Sequence, residues 1–307
     1  MYRKLNIKIL ALIFSFLLIV VLFIELADSR KGGRTFRDDL VNVNLEEVTS
    51  LEISPKVERG STIKLIKEND IWFAGMNNRR YRADQLLPST LIRELNEMKP
   101  ESVVATGEEK QAQYEVTDTL GTRVKLFGGN SILTDLIIGK FSFSQPKKMT
   151  SYVRLKDDKV IYGINGMLGM SFNRNLDSFR DRTVIKSNKA DWSRLTFSYP
   201  ADSSFTLQKV ADGWTVNGQP ADSASVAGYF DSIRNLSDSR FAESDTDITV
   251  THSLLIEGDN NLEKVEITGY HNSDGNFWIE SNQNKGNIFE SRELAEKIFI
   301  SSSTFLK

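Results

Sequence analysis

A pattern that recurs in the two halves of the chain constrains its fold most. In the first half, residues 61–67 alternate between polar and apolar side chains, and Trp72 follows after a turn. In the second half, residues 204–209 alternate in the same way, and Trp214 follows after a turn. Such a pair of segments is typical of a β-hairpin. We predict that both tryptophans close a sheet at equivalent core positions; a ligand platform is the alternative.

The correspondence continues into a predicted helix. Asp84 and Asp222 each follow an alanine, and the two Ala-Asp pairs are 138 residues apart. At the same offset, each pair is followed by apolar residues at intervals of three and four: Leu91, Ile92, Leu95 and Met98, then Tyr229, Phe230, Ile233 and Leu236. This spacing predicts an amphipathic helix. Asp84 and Asp222 are the expected N-caps, because a carboxylate can accept the free amides of the first turn.

The order of the segments predicts the architecture. Alternating segments follow both helices, so each half has the pattern β-β-α-β-β-β-β. This pattern indicates an α+β fold of two tandem repeats, each a mainly antiparallel sheet with one packed helix. We predict a first repeat over residues 45–172, a connector over 173–190 and a second repeat over 191–307.

The connector contains a short run of alternating charge. Phe179, Arg180, Asp181 and Arg182 stand between the two predicted repeats. We expect salt bridges from these residues to fix one repeat against the other; a contact with a partner protein is the alternative.

An apolar segment near the N-terminus predicts a membrane anchor. Residues 9–24 contain neither charge nor proline, and residues 7–27 as a helix would cross a hydrocarbon core of about 30 Å. Arg3, Lys4 and Lys8 precede the apolar run. Because positive residues stay on the cytoplasmic side, they predict a cytoplasmic N-terminus and an extracytoplasmic remainder.

We therefore divide the N-terminal part into a cytoplasmic tip with its transmembrane helix, residues 1–28, and a linker, residues 29–44. This arrangement predicts a protein of the inner, or cytoplasmic, membrane with most of the chain in the periplasm. A cleaved signal peptide is the alternative. The basic stretch at residues 30–34 runs against the positive-inside trend, and we interpret it as a solvated linker.

The amino-acid composition argues against several kinds of chemistry. The chain has no cysteine, which excludes disulfides and thiol catalysis. Its net charge of −2 and its short basic clusters do not favour nucleic acid binding. His252 and His271 are the only histidines, and neither has the spacing of a metal site or of a catalytic triad. We therefore expect no metal, no cofactor and no catalytic residue.

Four short motifs resemble a bacterial family. Residues 81–84, 151–155, 160–162 and 179–182 are similar, in this order, to domain-of-unknown-function family 4340. The resemblance extends over roughly residues 45–245 and implies an N-terminal anchor and two repeats. It also implies partners, an ABC transporter permease of the gliding type, its ATPase and a second extracytoplasmic subunit. The family has no established catalytic residues, so none is implied.

Three functions follow as hypotheses. The first is a non-enzymatic, membrane-anchored accessory subunit of an ABC-type export or gliding complex. The second is an envelope-binding module for peptidoglycan or lipid. The third is an anchored Ser/Lys hydrolase, since Ser61 with Lys64 and Ser144 with Lys147 have the S-x-x-K spacing. The first pair lies on a predicted strand, where residues three apart point to opposite faces.

Overall fold

The structure is a computed structural model that describes residues 14–19, 37–144, 148–242, 248–259, 262–272 and 276–306. It consists of two large antiparallel sheets, one small two-stranded sheet and a few helices. This confirms the predicted α+β class.

The first large sheet has nine strands in the order β4-β3-β2-β1-β6-β7-β8-β9-β5, and all of its neighbours pair antiparallel. Its strands are β1 (Ser50–Ser54), β2 (Ile63–Glu68), β3 (Ile71–Met76), β4 (Arg79–Arg82), β5 (Pro100–Thr106), β6 (Thr122–Gly128), β7 (Ser131–Ser144), β8 (Lys148–Leu155) and β9 (Val160–Asn165).

Two tight turns build the β2-β3-β4 hairpins. Asn69 and Asp70 have φ values of 48° and 62°, and Asn77 and Asn78 have φ values of 50° and 66°. Two consecutive positive φ values are the signature of a type I′ turn, and Asn and Asp tolerate this conformation better than most residues. These turns therefore fix the register that carries Trp72 back along the sheet.

One helix packs on the first sheet and two short helices accompany it. Helix α1 (Leu87–Asn96) buries the side chains of Leu91, Ile92 and Leu95, as the spacing predicts. The N-cap residue is Leu86 and not Asp84 as predicted, because the helix begins two residues later, with Pro88 in its first turn. The carboxylate Oδ1 of Asp84 still accepts the amides of Leu86 (2.9 Å) and Leu87 (3.2 Å). The short helices are α2 (Glu108–Gln111) and α3 (Gly169–Phe172).

The second large sheet has eight strands in the order β14-β13-β12-β11-β16-β17-β18-β19, while β10 and β15 form the small sheet. The strands from the connector onward are β10 (Thr183–Lys186), β11 (Trp192–Ser198), β12 (Phe205–Val210), β13 (Gly213–Val216), β14 (Gln219–Pro220), β15 (Asn235–Ser237), β16 (Ile248–Gly258), β17 (Val265–Asn272), β18 (Phe277–Ser281) and β19 (Ile288–Glu290). Helices α4 (Ser223–Ile233) and α5 (Arg292–Ile298) complete this part.

Asp222 is the N-cap of α4, where its Oδ2 accepts the Ser225 amide at 3.0 Å. The apolar face of the helix packs into a buried cluster that belongs to the second sheet, separate from the cluster of the first sheet. Trp72 is 7% exposed in the first cluster. Trp214 is half-buried at the edge of the second, and its ring meets Phe230 edge-on at 4.9 Å.

Two central strands are absent from the predicted pattern. β1 and β11 join the N-terminal hairpin of each sheet to its later strands. β1 has five residues, of which only Leu51 and Ile53 are buried. So short a segment gives little periodicity, and its place is decided by distant partners. The strand after each helix also differs, because β5 pairs with β9 whereas β15 pairs with β10 of the connector.

Most of the predicted anchor, residues 7–27, lies outside the described residues. Its described part, residues 14–19, is helical. Across the ranges that the structure describes, no helix combines the length and the apolar character needed to cross a bilayer.

Candidate functional site

The connector continues the edge of the first sheet. A 3-10 turn at Leu176–Phe179 leads into it, and the side chain of Asn175 caps that turn through the Ser178 amide. The Phe179 carbonyl then accepts the Asp84 amide at 3.0 Å. Arg180 bridges Ala83 in antiparallel fashion, so the connector runs beside the end of β4.

Arg180 lies at the junction of the two sheets and is only 4% exposed. Its guanidinium carbon is 3.7 Å from the ring centroid of Tyr81 in the first sheet. On the opposite side it is 3.8 Å from the ring centroid of Phe241, which bridges Phe289 in β19. Aromatic faces attract a cation most strongly where water is excluded. The guanidinium therefore lies between the ring of Tyr81, in the first sheet, and the ring of Phe241, which pairs with the second sheet.

Hydrogen bonds fix Arg180 within this stack. Its Nε donates to Asn287 Oδ1 at 2.7 Å, and its Nη1 donates to Asp177 Oδ1 at 3.0 Å. Burial lowers the pKa of the Arg180 guanidinium, and Asp177 opposes that shift. An arginine stays charged under all ordinary conditions, so burial makes its partners important for stability rather than changing its protonation.

Two buried asparagines before β19 bind the backbone of the first sheet and of the connector. Asn287 Nδ2 donates to the Arg82 carbonyl at 3.0 Å and to Asn284 Oδ1 at 2.6 Å. Asn284 Nδ2 donates to the carbonyls of Asp181 (2.8 Å) and Thr183 (3.0 Å). Both side chains are fully buried, and hydrogen-bonded amides compensate for the cost of that burial.

We define the junction cluster by the residues that make these contacts: Tyr81, Arg82, Arg180, Asp181, Phe241, Asn284 and Asn287. A cavity of about 150 Å³ lies beside it, with Tyr81, Arg180 and Phe241 in its lining.

The contacts across the junction differ from the expected salt bridges. Among the residues that the structure describes, Arg180 pairs with Asp177 and Arg82 pairs with Asp181 (3.3 Å), and each of these residues lies in the first sheet or the connector. The contacts with residues of the second predicted repeat are instead hydrogen bonds of Asn284 and Asn287 and the stacking of Phe241 on Arg180. Hydrogen bonds and ring stacking, rather than the expected salt bridges, therefore join the two predicted repeats among the described residues. Arg182 is exposed, and its carbonyl accepts the Asp238 amide at 3.0 Å.

Asn284, Asn287 and Phe241 were not identified from the sequence. The two asparagines stand in a polar, glycine-containing segment that is typical of a solvated loop. In the sequence, Phe241 is a single apolar residue after the second helix. Its position opposite Tyr81 depends on contacts far apart in the chain, so one sequence carries no signal for it.

Those residues considered for catalysis that the structure describes make other contacts. Lys64 Nζ pairs with Glu52 Oε1 at 2.9 Å, and Lys147 lies outside the described residues. The rings of His252 and His271 are 6.3 Å apart within an aromatic cluster. Among the described residues, no group of three His, Asp or Glu side chains could hold a metal ion.

A family model described as a domain of unknown function, DUF4340, matches residues 72–254, which is more than half of the chain. The chain belongs to the DUF4340 family. No curated protein and no solved structure matches it. The matched range runs from β3 into β16, so the DUF4340 match contains the connector and Arg180.

Proposed function

We propose that the chain is a non-enzymatic, membrane-anchored extracytoplasmic accessory subunit of an ABC-type transporter complex. The observation that carries this proposal is the junction cluster. Its charged and amide side chains are used to hold two sheets together, and Arg180 is 4% exposed. Such an arrangement suits a scaffold that presents its outer surface to a partner.

The proposal includes a tandem repeat of one α+β unit. The hairpin strands, central strand and following strands come in the same order in both large sheets. The Asp84 amide donates to the carbonyl of Phe179 (3.0 Å), and the Asp222 amide donates to the carbonyl of Phe305 (2.7 Å). Phe179 and Phe305 are both buried and both end a 3-10 turn. These equivalent contacts support a shared design.

The membrane anchor is supported by the N-terminal sequence and by exposed side chains. In residues 14–19, five large apolar side chains, those of Phe14, Phe16, Leu17, Leu18 and Ile19, are between 49% and 67% exposed. Five such exposed side chains within six residues are unfavourable in water and favourable in lipid. We propose the inner membrane as the location, with the two sheets in the periplasm.

The transporter partner rests on the family resemblance, and co-purification tests it. The full chain, tagged at its C-terminus, is expected to recover a permease and an ATPase from native membranes after mild crosslinking. Arg180→Met, which removes a contact of the junction cluster, should reduce this recovery, whereas Arg182→Met at the exposed neighbouring position should not. Recovery of the intact chain from membranes without either transporter component would contradict the proposal.

A further inference from the structure

Part of the first sheet projects beyond its neighbours as a two-stranded ribbon. β6 pairs with β7 only as far as Ile138, and β9 pairs with β8 only from Thr150. A bulge follows Ile138, and a side chain at Gly139 would overlap the Tyr114 carbonyl oxygen. Bulges redirect a strand, and beyond this point β7 pairs with β8 alone. We call residues 139–144 and 148–149 the aromatic ribbon.

One face of the aromatic ribbon is apolar and exposed. Phe141 and Phe143 are separated by one residue, so their side chains share a face, and Met149 lies directly opposite Phe143. The three side chains are 56%, 58% and 36% exposed, in that order. They form a contiguous apolar surface at the projecting end of the sheet.

The other face of the aromatic ribbon is braced against the sheet. The hydroxyls of Ser142 and Tyr152 are 2.8 Å apart, and the Tyr152 ring meets Tyr114 edge-on at 4.7 Å. The Lys140 amide donates to the Tyr114 carbonyl at 3.1 Å. The phenylalanines are therefore held outward by contacts on the opposite face.

The charge of the surrounding segment is positive. Residues 136–156 contain five Lys or Arg and no Asp or Glu, although the whole chain has a net charge of −2. Arg154 is buried and Lys156 pairs with Asp118, which leaves Lys140, Lys147 and Lys148 as the basic residues within or next to the ribbon in sequence. Lys148 is 54% exposed and pairs with Glu101 at 2.7 Å. Exposed ion pairs of this kind contribute little stability, so Lys148 can exchange its carboxylate partner for a lipid phosphate. Exposed aromatic residues flanked by lysines are typical of elements that lie in a membrane interface.

The predicted tether can bring the aromatic ribbon to a bilayer. Leu40 and Val41 are buried in the core cluster of the first sheet, which also contains Tyr162 of β9. Tyr162 pairs with Val153, which is four residues from Met149, or about 13 Å along β8. Between residue 27 and Leu40 an extended chain reaches at most about 47 Å. The reach of the tether therefore exceeds the distance along β8 from Val153 to Met149.

We infer that the aromatic ribbon docks on the anionic surface of the membrane to which the chain is tethered. Phe141, Phe143 and Met149 enter the interface, and Lys148 meets lipid phosphates. The orientation rests on the proposed anchor, whereas the contact itself rests on the ribbon.

Single-cysteine probes test this inference, since the full chain has no cysteine of its own. Met149→Cys keeps both phenylalanines and carries an environment-sensitive fluorophore at the edge of the apolar face. Ile132→Cys is the matched control, because Ile132 lies on β7, the strand that carries Phe141 and Phe143, and is 57% exposed. The labelled full chain is reconstituted in vesicles of phosphatidylcholine with phosphatidylglycerol, and quenching by nitroxide-labelled lipid is measured.

We expect the probe at position 149 to be quenched severalfold more than the probe at 132, and to lose this excess in Phe141→Ser/Phe143→Ser. Vesicles of phosphatidylcholine alone should give weaker quenching. Equal quenching at the two positions would overturn the inference. A change in the fluorescence of the probe at position 149 that appears only when membrane proteins are added to the vesicles would also overturn it. Flotation of the chain with the vesicles tests the proposed membrane anchor independently of the ribbon. Flotation with equal quenching leaves the proposed anchor intact, and failure to float refutes it.

Discussion

Arg180 and Asn287 are 107 residues apart in the chain, and the Arg180 Nε donates a hydrogen bond to Asn287 Oδ1 at 2.7 Å. This bond joins the connector to the loop before β19 and lies in the middle of the junction cluster. Because both side chains are buried, neither can recover its lost partner from water. The coupling between the two sheets should therefore depend strongly on this pair.

Arg180→Met should destabilise the chain by roughly 3 kcal/mol, because it removes two hydrogen bonds from a charged group and a desolvated cation–π stack. It should also separate the unfolding of the two sheets, so that a single urea transition becomes two. The measurement is urea unfolding followed by circular dichroism and tryptophan fluorescence. Arg182→Met, at an exposed position, is the control and should stay within about 0.5 kcal/mol of the parent chain. Equal effects of the two variants would contradict the role of the junction cluster.

The coupling between Arg180 and Asn287 should appear in a double-mutant cycle. Asn287→Ala also leaves the Arg82 carbonyl without its Nδ2 donor, so its own cost should be about 1–3 kcal/mol. Combined with Arg180→Met, the two changes should be non-additive by about 0.5–3 kcal/mol, as is usual for residues in one hydrogen-bond network. Full additivity in urea unfolding would mean that the two residues act independently.

Asp222→Ala should destabilise helix α4 by about 1 kcal/mol, because the first-turn amide of Ser225 loses its acceptor. Thermal unfolding measures the change. Asp212→Ala is a matched control, since Asp212 is an exposed acidic residue in a turn and caps no helix that the structure describes. If both substitutions lower the midpoint equally, the effect comes from the loss of charge and not from the cap.

The sequence predicted the features that short-range physics decides. Asn69 and Asp70 favour positive φ, Asp222 caps a helix, and the spacing from Leu91 to Leu95 marks a buried helical face. Each of these depends on residues within one or two turns of one another, so one sequence is enough to reveal them.

The remainder depends on partners that are distant in the chain. Leu51 and Ile53 become central only because β1 pairs with β2 on one side and with β6 on the other. Asn287 is buried because Arg180 and the Arg82 carbonyl meet it, and in sequence it resembles a loop asparagine. Alternating charge in the connector indicated a junction, but the kind of contact was decided by the geometry of Tyr81 and Phe241.

His252 should make stability depend on pH below neutrality. Burial lowers its pKa from the ordinary value of 6.5, and the neighbouring His271 lowers it further. The unfolded chain therefore binds more protons than the folded chain below about pH 6.5, so the free energy of unfolding falls as the pH decreases through this range. Tyr199, Phe277 and Phe299 surround the ring and offer no carboxylate to compensate.

The measurement is the urea midpoint at about pH 7.5 and about pH 5.5, on either side of the ordinary histidine pKa. His252→Phe keeps an aromatic ring in the cluster and should flatten the difference between the two midpoints. His271→Gln should keep most of it, because burial is the larger cause of the shift and that substitution leaves His252 buried. If His252→Phe shows the same difference between the two urea midpoints as the parent chain, the pH dependence comes from carboxylates elsewhere in the chain.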